Sequence, residues 1–218
     1  MLQKNLIKAV ILDLDQTITI DQGSWLQFTK LIGADYKIHE TIYNQFRSGD
    51  ISYPEAKSKL INLWKKSNNL EKNDIKNVFE KIELRDGSRE AINYLKGKYK
   101  LCIISGAIDT FVEVFAERLE ISNWYASTKF IFNEKNVLQD FDYKLSRGED
   151  KVGFLNDFCI HQSFHPYECA AIGDGESDMP IFDKVGMPIL FIAKETTEDQ
   201  INKIENHIKN WSEINKFL

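Results

Sequence analysis

Three short segments of the 218-residue chain carry acids and hydroxyls at spacings that suit chemistry. The first is Asp13-Leu14-Asp15-Gln16-Thr17. In an extended chain, residues i and i+2 point to one side, so Asp13 and Asp15 are set close together. Two adjacent carboxylates repel unless a cation joins them or one takes a proton. A Mg²⁺ ion prefers one or two carboxylates, waters and a substrate phosphate. One carboxylate can then attack phosphorus while the other gives and takes protons. A polar turn after a strand would use similar residues. With 16 Asp and 8 Thr in the chain, chance supplies roughly 0.04 matches to this pattern.

The second segment is Ile103-Ile104-Ser105-Gly106-Ala107, read as a strand end leading into a helix that carries Phe111. A hydroxyl, a glycine and a helix N-terminus together form an anion site. Taken alone, an ordinary strand-to-helix turn with a serine cap explains it better. The third is Ala171-Ile172-Gly173-Asp174-Gly175-Glu176-Ser177-Asp178. Glycines flank Asp174 so the backbone can turn tightly there. Asp178 doubles as a helix-start residue. A phosphate site among acids needs a fixed positive charge, although most lysines are solvated surface groups. Lys151 is the best-placed cation, with Lys144 and Arg147 in reserve.

Other groups read as structural. Cys102, Cys159 and Cys169 are odd in number and widely spaced, which excludes a disulfide framework and a CxxC metal site. Cys102 and Cys169 lie in apolar runs and are expected as buried free thiols. His161 and His165 have helical spacing, but Pro166 ends that helix, so surface histidines are expected.

The elements that must position these groups follow from hydrophobic periodicity. Residues 8–14, 99–104, 168–172 and 188–193 are short apolar runs, read as strands buried on both faces. Amphipathic stripes lie between them: Ala91, Ile92, Leu95; then Phe111, Val114, Phe115, Leu119; then Val152, Leu155, Phe158. Alternating strands and helices predict an α/β fold with a parallel sheet, whose ligands sit at the carboxyl ends of the strands. From residue 22 to about 84 only helical stripes occur: Trp25, Phe28, Leu31, Ile32; Leu60, Leu63, Trp64; and Ile75, Val78, Phe79, Ile82. Ser52-Tyr53-Pro54-Glu55 has the spacing of a helix capping box. This stretch predicts an inserted helical subdomain. Residues 130–141 predict a hairpin around 133–136. Ile201, Ile204, Ile208 and Trp211 predict a C-terminal helix on the core.

Composition bounds the partners. A net charge of −5 disfavours nucleic acid, which calls for a basic face. The early apolar stretch spans only Ala9 to Leu12, shorter than a signal-peptide core. No run approaches the roughly eighteen apolar residues of a membrane helix. A cytoplasmic protein without membrane contact is expected.

Taken together, Asp13-Leu14-Asp15-Gln16-Thr17, Ser105-Gly106, Lys151 and Gly173-Asp174 to Asp178 resemble the four motifs of the haloacid dehalogenase-like superfamily, in order and spacing. The helical insertion resembles the cap of its phosphoserine-phosphatase-like branch, and the likeness covers nearly the whole chain. It implies a Rossmann-like parallel-sheet core over residues 1–21 and 85–218, with a helical cap over 22–84. It also implies a Mg²⁺-dependent phosphatase of a small phosphorylated metabolite, monomeric or homodimeric, whose cap closes over the substrate and opens for release. By that resemblance Asp13 is the nucleophile that becomes an aspartyl-phosphate. Asp15 is the acid and then the base, with its backbone carbonyl on the metal. Thr17 supports the loop at the substrate site, Ser105 and Gly106 hold phosphate oxygens, and Lys151 neutralises Asp13 and the phosphate. Asp174 ligates Mg²⁺ and Asp178 supports it.

Gln22 falls where that branch reads a substrate ammonium with glutamate. The branch's cap arginine falls near Lys59 or Leu60, so the resemblance does not carry phosphoserine over as the substrate. Trp25, Phe28, Tyr53 and Trp64 are expected mostly in the core, with one or two facing the substrate. Two alternatives stay open: a phosphotransferase or mutase with the same chemistry, and a non-catalytic phosphate-ligand-binding protein.

Overall fold

The structure, a computed structural model, describes residues 6–20, 23–67, 70–143, 146, 148–194 and 196–218. The described strands are β1 (Ala9–Leu12), β2 (Lys100–Ile108), β3 (Asn123–Phe132), β4 (Leu138–Tyr143), β5 (Cys169–Gly173), β6 (Met187–Phe191) and β7 (His207–Ile208). They form one sheet in the order β4-β3-β2-β1-β5-β6-β7. Every pairing is parallel except β3 with β4. This is the expected α/β architecture. Strand β1 lies at the centre, and the chain builds outward on its β2 side before crossing to its β5 side. The carboxyl ends flanking β1 are therefore the switch point where such sheets bind ligands.

The strand residues alternate between two cores, as a period of two requires. Val10, Leu12, Leu101, Ile103, Ala170 and Ile172 join the larger cluster. Ala9, Ile11, Cys102, Ile104, Cys169 and Ala171 join the smaller one on the opposite face. Helices α5 (Ser88–Lys96) and α6 (Asp109–Arg118) cover the first face, through Ile92, Leu95, Phe111 and Phe115. Helices α7 (Glu149–Gln162) and α8 (Met179–Phe182) cover the second, through Leu155, Phe158, Ile181 and Phe182. The three cysteines are buried and free, with Cys159 and Cys169 Sγ atoms 3.7 Å apart.

Four helices precede α5: α1 (Ser24–Leu31), α2 (Tyr36–Ser48), α3 (Tyr53–Trp64) and α4 (Lys72–Glu80). The chain enters and leaves this segment side by side. Thr19 bridges Leu84 antiparallel, and Arg85 N–H donates to the Ile18 carbonyl at 2.8 Å. Ser52 caps α3 by accepting from Glu55 N–H at 3.4 Å, while the Glu55 side chain pairs with Lys59 instead of returning to the cap. Helix α2 left no readable stripe because it buries only His39 and Ile42, and Tyr36, Ile38 and Tyr43 are exposed. It is specified by its ends: Asp35 accepts from Lys37 N–H at 2.9 Å, and Gly49 closes it at φ 83°.

The helical segment rests on the β3–β4 hairpin through aromatic rings. Trp25 meets Phe141 at 5.0 Å and Tyr143 at 6.0 Å, Phe28 meets Phe130 at 5.4 Å, and Trp64 meets Phe141 at 5.7 Å. Tyr53 faces Tyr143 at 6.3 Å. Backbone bonds from Lys72 to Asn136 and from Leu138 to Leu70 complete the seam.

Two expectations are corrected. The hairpin is present, but β3 begins at Asn123 and pairs with β2 first. Its half-buried start, with Asn123 before and Ser127 and Thr128 after three apolar residues, hides it from an apolar-run reading. The C-terminal stripe is not one helix. Helix α9 (Glu198–Lys203) stops before Ile204, Ile208 belongs to β7, and Trp211 opens a 3₁₀ segment. Pairing with the open edge of β6, including Ile192 N–H to the Ile208 carbonyl at 2.8 Å, takes the backbone from the helix. No helix among the described residues is long and apolar enough to cross a membrane.

Candidate active site

Asp13 follows β1 directly, and its N–H donates to the Ile172 carbonyl of β5 at 2.9 Å. That bond sets it beside Asp174, which follows β5. Thr17 lies behind both: its hydroxyl donates to Asp174 Oδ1 at 2.9 Å and lies 3.4 Å from Asp13 Oδ2. Thr17 is fully buried and its carbonyl accepts from Trp211 Nε1 at 3.0 Å. It braces the carboxylates and does not line the cleft in front of them. Gln16 turns the chain between Asp15 and Thr17 at φ 61°, with Arg85 Nη2 donating to its carbonyl at 2.7 Å.

Lys151 sits in the first turn of α7, buried among these acids. Its ammonium donates to Asp13 Oδ1 at 2.8 Å and to Asp178 Oδ1 at 2.7 Å. Asp178 is held in turn by Gly175 N–H at 3.1 Å. Two glycines permit this approach. A Cβ at Gly173 would lie 2.3 Å from Asp178 Cγ. Gly148 caps α7 at φ 92°, where a Cβ would lie 2.2 Å from the Ser177 carbonyl oxygen. Gly148 was not singled out from the sequence, because close backbone contact leaves no local pattern.

Ser105 and Gly106 reach the same cleft, but not at a helix start as expected. Strand β2 continues to Ile108, and the register shifts so that Gly106 and Ala107 stand opposite Ser127 alone. A bulge re-aims the strand and leaves a residue unpaired. The Ser105 hydroxyl accepts from Ala107 N–H at 3.3 Å.

The Asp15 carboxylate lines the same cleft and is held by the first residue of α1. Ser24 N–H donates to its Oδ1 at 2.8 Å and the Ser24 hydroxyl to its Oδ2 at 2.7 Å. Ser24 was not foreseen; it follows a glycine and carries no motif of its own.

The electrostatics follow from burial. Loss of water pushes the Asp13 carboxyl up, against the pull of Lys151, and Asp178 adds to the rise. Burial likewise raises Asp174, helped by Asp13 and Asp178. Asp15 is pushed up to about 6 by burial, against the two Ser24 bonds. Burial opposes the charge on Lys151, but Asp13 and Asp178 more than offset it and hold the ammonium protonated.

Asp13, Asp174 and Asp178 each offer an oxygen within 4.8 Å of the others. Three carboxylates against one ammonium leave an excess of negative charge that a divalent cation would cancel. The donors are all oxygen, which suits Mg²⁺. Among the described residues no other His, Cys, Asp or Glu group has this closeness. His161 and His165 are exposed and separate, since α7 ends at Gln162.

The acids face a cleft of about 570 Å³. Besides Asp13, Asp15, Ser105, Gly106, Lys151 and Asp174, its walls include Arg47 from the end of α2, Thr197 at the N-cap of α9, and Gln200 and Lys203 within that helix. Lys203 is paired with Asp199 at 2.6 Å. Arg47 lies 5.9 Å from the Tyr43 ring. Neither Lys59 nor Leu60 lines the cleft, and Gln22, Lys144 and Arg147 lie outside the described residues. None of Trp25, Phe28, Tyr53 and Trp64 lines it either, because their rings are spent on the hairpin seam.

Comparison with known proteins bears on this geometry. A family model described as haloacid dehalogenase-like hydrolase matches residues 10–183. A phosphoserine phosphatase of Archaeoglobus fulgidus is 22% identical over 193 residues, covering 88% of this chain and 54% of the relative. The chain thus spans about half of that relative's length. One from Methanocaldococcus jannaschii is 22% identical, covering 88% and 89%. A solved structure described as a phospho-aspartyl intermediate analogue of phosphoserine phosphatase aligns with a TM-score of 0.73 at 21% identity, covering 97% of this chain and 99% of that one.

Proposed function

Because the chain belongs to the haloacid dehalogenase-like hydrolase family, we propose that it is a Mg²⁺-dependent phosphatase of a small phosphorylated metabolite, acting through an aspartyl-phosphate on Asp13. The observation that carries this reading is the buried Lys151 bridging Asp13 and Asp178, with Asp174 within ligand distance of both. Like charges are gathered there at a cost that a metal and a phosphate would relieve.

In this reading Asp13 attacks phosphorus with one carboxylate oxygen. Lys151 favours the ionised form of that carboxylate and neutralises the phosphate oxygens. Ser105 and Gly106, presented by the bulge of β2, hold those oxygens. Asp15 in its acid form protonates the leaving oxygen and, once ionised, takes the proton of the attacking water. Asp13 and Asp174, with the Asp15 backbone carbonyl, would hold Mg²⁺, and Asp178 orients Lys151. The metal when bound supplies charge neutralisation at the phosphate.

Residues 22–84 act as the cap, and Arg47 is the cation it brings to the cleft. A cation there suits a substrate with an acid group beside its phosphate, and the relatives named phosphoserine phosphatases support that class. A cytoplasmic location fits small-metabolite chemistry.

The test is hydrolysis of p-nitrophenyl phosphate with Mg²⁺ and with EDTA, followed by a panel of phosphorylated metabolites. Loss of turnover with EDTA and preference for acidic phosphomonoesters are expected. Full activity in Asp13→Asn would sink the nucleophile assignment.

A further inference from the structure

Asp15 and Ser24 meet twice, through the backbone N–H at 2.8 Å and the hydroxyl at 2.7 Å. The reason lies in the start of α1. Its N-cap is Gly23, which has no side chain to accept from the free N–H groups of the first turn. Asp15, nine residues earlier, takes that place from across the chain reversal. A carboxylate is favoured at a helix N-terminus by the helix dipole as well. Ser24 is fully buried, so bulk water does not compete for the contact. Among the described residues, no other side chain hydrogen-bonds the Asp15 carboxylate.

We propose that Ser24 is a positioning residue for Asp15, tying the first turn of the helical segment to the carboxylate that moves protons at phosphorus. This rests on the phosphatase reading above. The geometry gives the serine two duties. Its backbone N–H anchors Oδ1 and so fixes the plane of the carboxyl group. Its hydroxyl donates to Oδ2 and leaves a second lone pair on that oxygen to carry the proton that is transferred.

The proton balance shows where this matters. As the ester P–O bond breaks and the bond from Asp13 to phosphorus forms, the Asp15 carboxyl gives its proton to the departing oxygen. As water attacks phosphorus and the Asp13–phosphorus bond breaks, the Asp15 carboxylate takes a proton from that water. An Asp15 group free to rotate would spend much of its time misaligned, and small misplacements cost rate steeply.

The experiment uses leaving groups. A p-nitrophenolate leaves with little help from an acid, whereas an alkoxide must be protonated. The chain as it stands, Ser24→Ala, Ser24→Thr, Asp15→Asn and the Ser24→Ala/Asp15→Asn double variant are assayed on p-nitrophenyl phosphate and on a simple alkyl phosphate. Ser24→Ala should lower kcat/KM, which reports the step that expels the leaving group, by roughly 10- to 100-fold on the alkyl ester and by no more than about 3-fold on the aryl ester. Ser24→Thr should restore most of the alkyl activity. In the Asp15→Asn background, Ser24→Ala should add no further loss.

Parallel losses of kcat/KM on both esters in a variant that melts like the parent would overturn the assignment. So would an additive loss in the double variant. If Ser24→Ala fails to fold, Ser24→Cys keeps the backbone N–H and fills the buried site while replacing the hydroxyl by a weak donor, and is read by the same ratio. An unaltered chain that hydrolyses neither ester overturns the phosphatase reading itself, an outcome distinct from failure of the Ser24 assignment alone.

Discussion

Two buried polar clusters in this molecule invite comparison. In the helical segment, the Thr29 hydroxyl accepts from Trp64 Nε1 at 2.8 Å and meets His39 Nδ1 at 2.6 Å. Every member is neutral and paired. At the strand ends, Asp13, Asp174 and Asp178 crowd one ammonium. The first cluster minimises the cost of burying polar atoms, as a structural network does. The second holds charges of one sign together in a dry site, which a fold tolerates where chemistry requires it. Burial alone does not mark function; unbalanced charge within burial does.

The largest expected effect comes from breaking the charged cluster at Asp13, its proposed nucleophile. Asp13→Asn should reduce phosphatase turnover by at least about 10³-fold. Its melting temperature should hold or rise, because one of several mutually repelling carboxylates is gone. A steady-state assay beside a thermal melt checks both. Lys151→Ala breaks the same cluster from the other side. It strands Asp13 and Asp178 without a counter-charge and should cost roughly 3–5 kcal/mol by urea unfolding. A loss below about 1 kcal/mol would mean the acids are not held by that ammonium.

The comparison sharpens further with pH, because the two clusters slope in opposite directions. The carboxyls of Asp13 and Asp174 are raised in the folded state. The folded protein then binds more protons than the unfolded chain above the ordinary carboxylate range, so their contribution to stability falls as pH rises. Burial lowers His39 from 6.5 to about 4. Between those values the unfolded chain binds the extra proton, so this contribution is complete above 6.5 and is lost as pH falls through the window. Its full size is about 3 kcal/mol. Unfolding free energy measured from pH 4 to 8 should show the histidine slope vanish in His39→Gln. Added Mg²⁺ should flatten the carboxylate slope and leave the histidine slope alone.

The smallest effect comes from the neutral cluster. Thr29→Val leaves Trp64 Nε1 and His39 Nδ1 without their shared partner. It should cost about 1–2 kcal/mol, with kcat on p-nitrophenyl phosphate within about twofold. A large loss of kcat would mean the two clusters are coupled.

Much of the site was legible because several of its groups directly follow an apolar run of sequence. Asp13, Ser105 and Asp174 follow runs whose burial on both faces follows from their composition. Lys151 follows from the need for a fixed cation among the acids, and its ion pair to Asp13 spans 138 residues. Arg47 was hidden because α2 shows no stripe and the residue is exposed. Ser24 was hidden because its partner lies across a turn that local spacing does not describe. Gly148 was hidden because what it avoids, the Ser177 carbonyl, belongs to another loop.

By itself, the sequence determined the strand periodicity, the order of the acidic segments and the helical character of the segment between β1 and β2. These depend on side-chain type at short range. Tertiary structure alone decided that β3 joins the sheet before it turns into a hairpin, and that the last apolar residues complete a sheet edge. It also decided that the Asp15 carboxylate meets Ser24. Backbone groups take whichever hydrogen-bond partner the finished fold supplies, and a carboxylate turns to the nearest free donors. Those donors exist only once distant parts of the chain have met.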